Sequence, residues 1–378
     1  MRVLISATPG IGHVFPIVPL AWALRVSGHE VLVATGGDGL AVKDAGLAVE
    51  DVCPGTDAVG LAMRTFGEHP ELAAEWGTTD RSDFDANQRF YGRLMSHQTD
   101  LVDRYVDIAR RFRPDAVVYS SLGAPGLIAA AKLGVPAVEH GYGLTRTTQY
   151  ADRVRAWNTE LFDRHEVDLP SRMHYIDVAP PSLVDQAPNG WKMRYVPYNG
   201  GTVVPAWLAA PAERPRIAVT LGTTAPAFDG LGQLDRVLEL APDVDAEFVL
   251  ALGSADAGRL GTLPDNVRVV EWVPLNLLLR TSAGMIHHGG SGSTLAALDA
   301  GVPQILMPDE GDRHVNARAV AAAGAGLSVP SEELTKDAVD ALLHDRGLRS
   351  AAAGIGAEMR AMPSPFAFEQ RLEEIVRG

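Results

Sequence analysis

The run His287-His288-Gly289-Gly290-Ser291-Gly292-Ser293-Thr294 stands between a strand-like apolar stretch at Met285-Ile286 and a stretch with helical composition. A glycine-rich turn of this kind brings backbone N–H groups close to an anion and aims the positive end of the following helix at it. His288, Ser293 and Thr294 add side-chain donors, so the run reads as a cradle for a diphosphate. The competing reading is a tight strand-to-helix turn with no ligand, which glycine also permits. Both readings require a strand-turn-helix unit, and that commits this part of the chain to α/β architecture.

The first residues repeat the pattern. Residues 2–7 have a buried-strand composition, Pro9-Gly10-Ile11-Gly12-His13 turns the chain, and an apolar helix runs to about Ser27. Glu30 to Thr35 is the next strand, completing a βαβ unit. A variable stretch follows. Asn87 to Arg111 then reads as one long helix, Ala116 to Tyr119 as a strand, Pro125 to Leu133 as a helix and Pro136 to Glu139 as a strand. The alternation loosens between His140 and Pro215 and resumes with strands at Ile217–Thr220, Glu247–Leu252, Val267–Val270 and Gln304–Met307. Such alternation predicts parallel sheets covered on both faces. A last helix at Phe366 to Val376 is placed to cross back onto the first half.

With 378 residues the chain has room for two domains. Its net charge of −14 and pI of about 5.2 disfavour nucleic acid and anionic membranes as partners, so local donors must hold any phosphate. One cysteine, Cys53, excludes an intrachain disulfide and a cysteine-rich metal site. The apolar start breaks at Thr8-Pro9-Gly10, too early for a signal peptide or membrane span, which predicts a cytoplasmic protein with small-molecule ligands.

Three blocks in order carry a family resemblance: Gly10-Ile11-Gly12-His13-Val14-Phe15-Pro16, Val219-Thr220-Leu221-Gly222-Thr223, and Trp272-Val273-Pro274 through Asn316-Ala317-Arg318. Over nearly its whole length the chain resembles GT-B glycosyltransferases of the family-1 type, close to bacterial enzymes that glycosylate polyketide, macrolide and enediyne aglycones. The resemblance implies two Rossmann-like domains facing across a cleft, with acceptor mainly on the first and nucleotide sugar mainly on the second. The expected division is 1–200, 201–362 and a C-terminal helix at 363–378. Carried over, Trp272 stacks on the nucleobase, and Val273 meets it through its backbone. His288 contacts a phosphate, with Gly289, Gly290, Ser291, Gly292 and Ser293 around it. Thr223 approaches the diphosphate from the opposite loop, and Asp312 with Arg313 meets the sugar.

Inverting transfer requires an acceptor hydroxyl to lose its proton while attacking the anomeric carbon, a task suited to a neutral imidazole. The resemblance makes His13 that base; its competing role is a helix-terminal histidine bonded to backbone. No cofactor or metal is expected beyond the nucleotide-sugar cosubstrate, because cradle dipoles can stabilise the leaving diphosphate. Asp83-Phe84-Asp85 and Asp243-Val244-Asp245 read as loop carboxylates and not as a cation site. On the acceptor side Gly12, Met63, Phe66, Phe90, Tyr91 and His140 are candidate lining residues, with ordinary core packing as the alternative for the aromatics. His287 reads as inward-facing and structural.

Three departures from the family are visible. Ser120-Ser121 stand where many relatives carry an aspartate that orients the base, so either another acid substitutes or the acceptor is an acidic phenol or enol. Arg313 replaces a common glutamine; a structural pairing with Asp312 ranks ahead of contact with an acidic sugar. Ala296 stands where relatives using UDP-sugars carry a ribose-binding glutamate, which fits a dTDP-linked deoxysugar. The leading expectation is an inverting, hexosyltransferase-type enzyme of antibiotic biosynthesis. Alternatives are a UDP-sugar transferase on small phenols or sterols, a nucleotide-sugar epimerase, and a degenerate non-catalytic homologue. The oligomeric state is open, a homodimer included.

Overall fold

The computed structural model describes residues 1–121, 123–147, 150–184, 190–222, 230–253 and 256–377. Two wholly parallel sheets organise them. The first holds β1 (Arg2–Ser6), β2 (Glu30–Thr35), β3 (Ala48–Asp51), β4 (Ala116–Ser120), β5 (Ala137–His140), β6 (Met173–Asp177) and β7 (Gly190–Lys192), in the order β3-β2-β1-β4-β5-β6-β7. The second holds β8 (Arg216–Thr220), β9 (Glu247–Ala251), β10 (Val267–Val270), β11 (Gly284–His287), β12 (Gln304–Leu306) and β13 (Gly326–Ser328), in the order β10-β9-β8-β11-β12-β13.

Both orders reverse direction once, at β1/β4 and at β8/β11. At such a point neighbouring strands send their connections to opposite faces, and a crevice opens beyond their carboxyl ends. The loop carrying His13 leaves β1 and the cradle leaves β11, so each half presents one of the two motifs at its own crevice.

The strands are buried because helices cover both faces. Val3, Ile5, Val31 and Val33 point toward a core shared with Leu20 and Leu24, while Leu4 and Leu32 point oppositely into a core with Tyr105, Leu127 and Ile128. This is the period-2 alternation of strand side chains with both faces covered. The first of these cores also takes in Leu295, Leu298, Ala352 and Met359 from the second half, and Phe368 and Leu372 from the last helix, Pro365–Arg377. His29 Nε2 and Glu369 Oε1 lie 2.8 Å apart, pinning that helix beside β2.

The long helix read over Asn87–Arg111 is corrected. Two helices, Phe84–Ser96 and Thr99–Phe112, are separated by non-helical backbone at Gln98, because the first packs on a small cluster with Leu72 while the second covers the main sheet. Helices Ala58–Glu68 and Pro70–Thr78, and strands β3, β6, β7 and β13, lacked a strong periodic signal.

Candidate active site

At the first crevice, Gly10 adopts φ 137° and starts the short helix Ile11–Val14. Asp38 Oδ1 accepts the Ile11 N–H at 3.2 Å, fixing the turn that carries His13. Gly12 is exposed. The His13 ring stands edge-to-face with Tyr142, centroids 5.1 Å apart and planes at 76°. Its Nδ1 is enclosed and has no hydrogen-bond partner. Enclosure lowers the pKa of His13, and the charge of Asp312 across the cleft opposes that shift.

Tyr142 lies on the loop after β5, and this loop joins the two crevices. A Cβ on Gly143 would sit 3.0 Å from Ser291 Cβ, so the loop backbone rests against the first residue of the cradle helix. Nothing in the motif reading singled out Tyr142; its place just beyond a strand's carboxyl end was the available signal.

The cradle is a strand end, a glycine pair and the N-terminus of helix Ser291–Ala300. Gly290 is the N-cap and no side chain caps the helix, which leaves first-turn N–H groups directed at the crevice. The His288 ring is held between Gly222 and Gly290. A Cβ on Gly222 would approach its Cε1 to 2.7 Å, and one on Gly290 would collide with Nε2. Burial first, then the charges of Arg313 and His287, drive His288 well below the usual imidazole pKa, so it is neutral at pH 7. Its Nδ1 is buried and unpartnered.

His287 is structural, as its inward position implied. Its Nδ1 accepts the Gly289 N–H at 3.1 Å, which puts the proton on Nε2, donated to Gln304 Oε1 at 2.8 Å. Burial holds its pKa at about 4. Asn316, given no role in the sequence beyond its place in the third family block, braces the cradle from behind: its Nδ2 donates to Gly289 O at 2.9 Å and to Ser291 Oγ at 3.0 Å. Ser291 Oγ in turn donates to Asp312 Oδ2 at 2.7 Å.

Several expected roles are corrected. Thr294 donates its hydroxyl to Gly290 O at 3.0 Å and is fully buried, so it stabilises the turn instead of offering a phosphate donor. Gly292 and Ser293 are half-buried on the first turn and stay available. Arg313 pairs with Asp309 and with Glu310 at 2.9 Å, not with Asp312, whose Oδ2 accepts instead from Ser291 Oγ. Val273 is buried in a core with Leu278 and Met285, leaving only its backbone for a ligand, whereas Trp272 is 44% exposed beside Gly200. Thr223 lies outside the described residues.

On the acceptor side the aromatics divide. Phe90 is 2% exposed and packs with Leu72 and Leu94, so it is core of a helical subdomain and the pocket-lining expectation for it is corrected, while Phe66 is only partly buried against that cluster. Met63 and Tyr91 are exposed. His140 is fully buried at the end of β5, with both ring nitrogens unpartnered and its pKa lowered by burial to about 4, so it does not open onto the cleft surface. Beside it, Glu139 accepts from Thr147 Oγ1 at 2.5 Å, and burial pushes its pKa up to about 7. Of the acidic pairs, Asp83 caps helix Phe84–Ser96, Asp85 binds Tyr150 and Arg153, and Asp245 lies 3.6 Å from Arg214.

Two facing crevices, one with a histidine base candidate and one with an uncapped helix and a neutral histidine, are the parts of a nucleotide-sugar transfer site. Residues 22–222 match the N-terminal domain, and residues 235–375 the C-terminal domain, of the family described as Erythromycin biosynthesis protein CIII-like. The chain belongs to these GT-B antibiotic glycosyltransferases. This glycosyltransferase is 41% identical to the elloramycin glycosyltransferase ElmGT of Streptomyces olivaceus, over 98% of this chain and 97% of the relative. It is 34% identical to the 10-deoxymethynolide desosaminyltransferase of Streptomyces venezuelae, over 99% and 97%. Among solved structures, SnogD from Streptomyces nogalater superposes with a TM-score of 0.83 at 38% identity, covering 100% and 99% of the two chains. The spinosyn rhamnosyltransferase SpnG, complexed with thymidine diphosphate, gives 0.80 at 32% identity, covering 99% and 100%. No helix among the described residues is long and apolar enough to cross a membrane.

Proposed function

We propose that this glycosyltransferase moves a deoxysugar from a dTDP-sugar, with inversion, to a lipophilic aglycone, and needs no metal or other cofactor. In this reading residues 1–200 hold the acceptor, 201–362 hold the donor, and the final helix at 363–378 ties the two. The observation that carries it is the uncapped N-terminus of helix Ser291–Ala300 with His288 beside it, facing the loop that abuts His13. First-turn N–H groups and a neutral His288 N–H donate to the diphosphate, and their attraction grows as the leaving oxygens gain charge. Asp312, whose Oδ2 accepts from Ser291 Oγ, accepts from sugar hydroxyls through its other oxygen. His13 takes the acceptor proton as the new bond forms and dTDP leaves with the electron pair.

A thymidine nucleotide is supported by Ala296, whose side chain is buried in the core and offers a ribose 2′-hydroxyl no acceptor. SpnG and VinC have each been seen with the thymidine diphosphate group. Calorimetry of dTDP and UDP with the wild type and His288→Ala tests the reading. The expected result is tighter binding of dTDP, weakened in the variant; tighter UDP binding overturns the donor assignment.

A further inference from the structure

Among the described residues, no carboxylate is hydrogen-bonded to His13. Ser120 Oγ, at the position where an orienting acid is expected, accepts the Thr8 N–H at 3.0 Å and lies 3.2 Å from Thr8 Oγ1. Ser121 Oγ is turned to Thr147 Oγ1 at 3.2 Å and to His140 O at 3.4 Å. The nearby acids are engaged elsewhere: Glu139 with Thr147, Asp38 with the Ile11 N–H, Asp312 with Ser291, and Asp115 with the Arg2 N–H at 2.7 Å at the opposite end of β4. Among the described residues none is hydrogen-bonded to His13, whose Nδ1 is enclosed and unpartnered.

This arrangement limits what the base can do. For Nε2 to accept a proton, Nδ1 must carry the other, and here that N–H would be buried without an acceptor. Such an unmet donor is costly to leave buried, and more so once the ring is charged. Tyr142, edge-to-face with the ring, holds it in place without stabilising the imidazolium as a carboxylate would. A weak base removes a proton efficiently only from an acidic group. A phenol ionises near pH ~10, whereas an aliphatic hydroxyl holds its proton about as firmly as water, with a pKa near ~15.7.

We propose that the hydroxyl glycosylated at this site is an acidic one, phenolic or enolic, because the His13 ring packs edge-to-face on Tyr142 and no carboxylate among the described residues is hydrogen-bonded to its enclosed Nδ1. The inference rests on the transfer reading above and names the chemistry of its acceptor. In the step, the acceptor O–H bond breaks with its proton passing to His13 Nε2. The oxygen bonds the anomeric carbon, and the bond from that carbon to the diphosphate breaks, its electron pair leaving on the nucleotide.

The test uses a matched pair, 2-naphthol and 2-naphthalenemethanol, which share a ring system and differ in hydroxyl acidity, with a dTDP-hexose donor. The wild type is expected to favour the naphthol by at least about 100-fold in kcat/KM. His13→Ala is expected to lower transfer to the naphthol less than transfer to the alcohol. Ser120→Asp supplies a carboxylate at the position where the orienting acid is expected, beside the Thr8 turn; it should narrow the ratio and move the acid limb of the kcat/KM profile to higher pH. Should that variant fail to fold, a series of ring-substituted 2-naphthols on the wild type serves instead, with transfer at low pH expected to rise with acceptor acidity. An equal or higher rate on the alcohol overturns the proposal. Parallel calorimetry with dTDP separates the two readings: nucleotide binding with no preference for the phenol sinks only the acceptor inference, while absence of nucleotide binding sinks the donor assignment.

Discussion

The cradle crevice and the His13 crevice arise from the same topology, yet they are built by different means. At the cradle the crevice surface is backbone, made by a strand end, two glycines and one helix terminus within eight consecutive residues, and braced by His287, Gln304 and Asn316. The half that carries His13 adds helices between Ala58 and Ser96, which pack on a satellite core of Leu72, Phe90 and Leu94 separate from the sheet. The first construction keeps one anion geometry while the rest of the chain varies. The second lets the lining change without disturbing the sheet, as suits relatives whose names describe different aglycones.

Truncating the satellite core tests that separation most severely. Phe90→Ala removes a fully enclosed ring and is expected to lower stability by about 3–5 kcal/mol in urea unfolding. If the helical segment is separable, the loss appears as an early partial transition and dTDP affinity is retained. A single transition with dTDP binding lost in step would break the comparison.

Glu139 lies among the polar side chains of Tyr119 and Thr147 near the end of β5, and its effect depends on pH. Burial raises its folded-state pKa from 4.5 to about 7, so its contribution is fully present below the unfolded value and is lost as pH rises through the folded one. At 1.36 kcal/mol per unit this is about 3 kcal/mol, an order-of-magnitude figure. Glu139→Gln should therefore match the wild type near pH 4.5 and exceed it in urea stability at pH 8. A difference independent of pH would show that the carboxyl is not titrating in this window.

The same contrast explains what was legible in the sequence. The cradle and the His13 turn could be read because glycines, a histidine and a following helix are consecutive, and backbone geometry follows from local residue order. Phe90 and Tyr91 are neighbours on one helix, yet one is enclosed and the other exposed, and only the packing of three helices decides which. Arg313 likewise sits beside Asp312 in sequence but turns one helical turn back to Asp309 and Glu310. Strands β6 and β7 were missed because Met173–Asp177 and Gly190–Lys192 interrupt their apolar residues with His174, Asp177 and Lys192 and lie toward the sheet edge, where burial imposes less pattern.

Gly290→Ala probes the donor side. The added methyl would meet His288 Nε2 and push the ring from its slot. We expect dTDP affinity to fall about 100-fold, a loss of about 2.7 kcal/mol, with the fold intact by circular dichroism. Unchanged affinity would mean that His288 is not held where the phosphate binds.

The smallest effect is expected at Met63, which is 53% exposed on helix Ala58–Glu68 and packs in none of the hydrophobic clusters. Met63→Ala should change stability by less than about 0.5 kcal/mol, as for surface substitutions away from packed features. An unbranched thioether adapts its shape to an apolar ligand, so acceptor KM should rise a few-fold while donor KM and kcat hold. If acceptor KM does not move, Met63 is surface and not lining, and the aglycone must be gripped nearer the sheet by the loops after β1, β4 and β5. The variable helices would then shape entry to the cleft, with recognition left to the same strand ends that carry His13 and Tyr142.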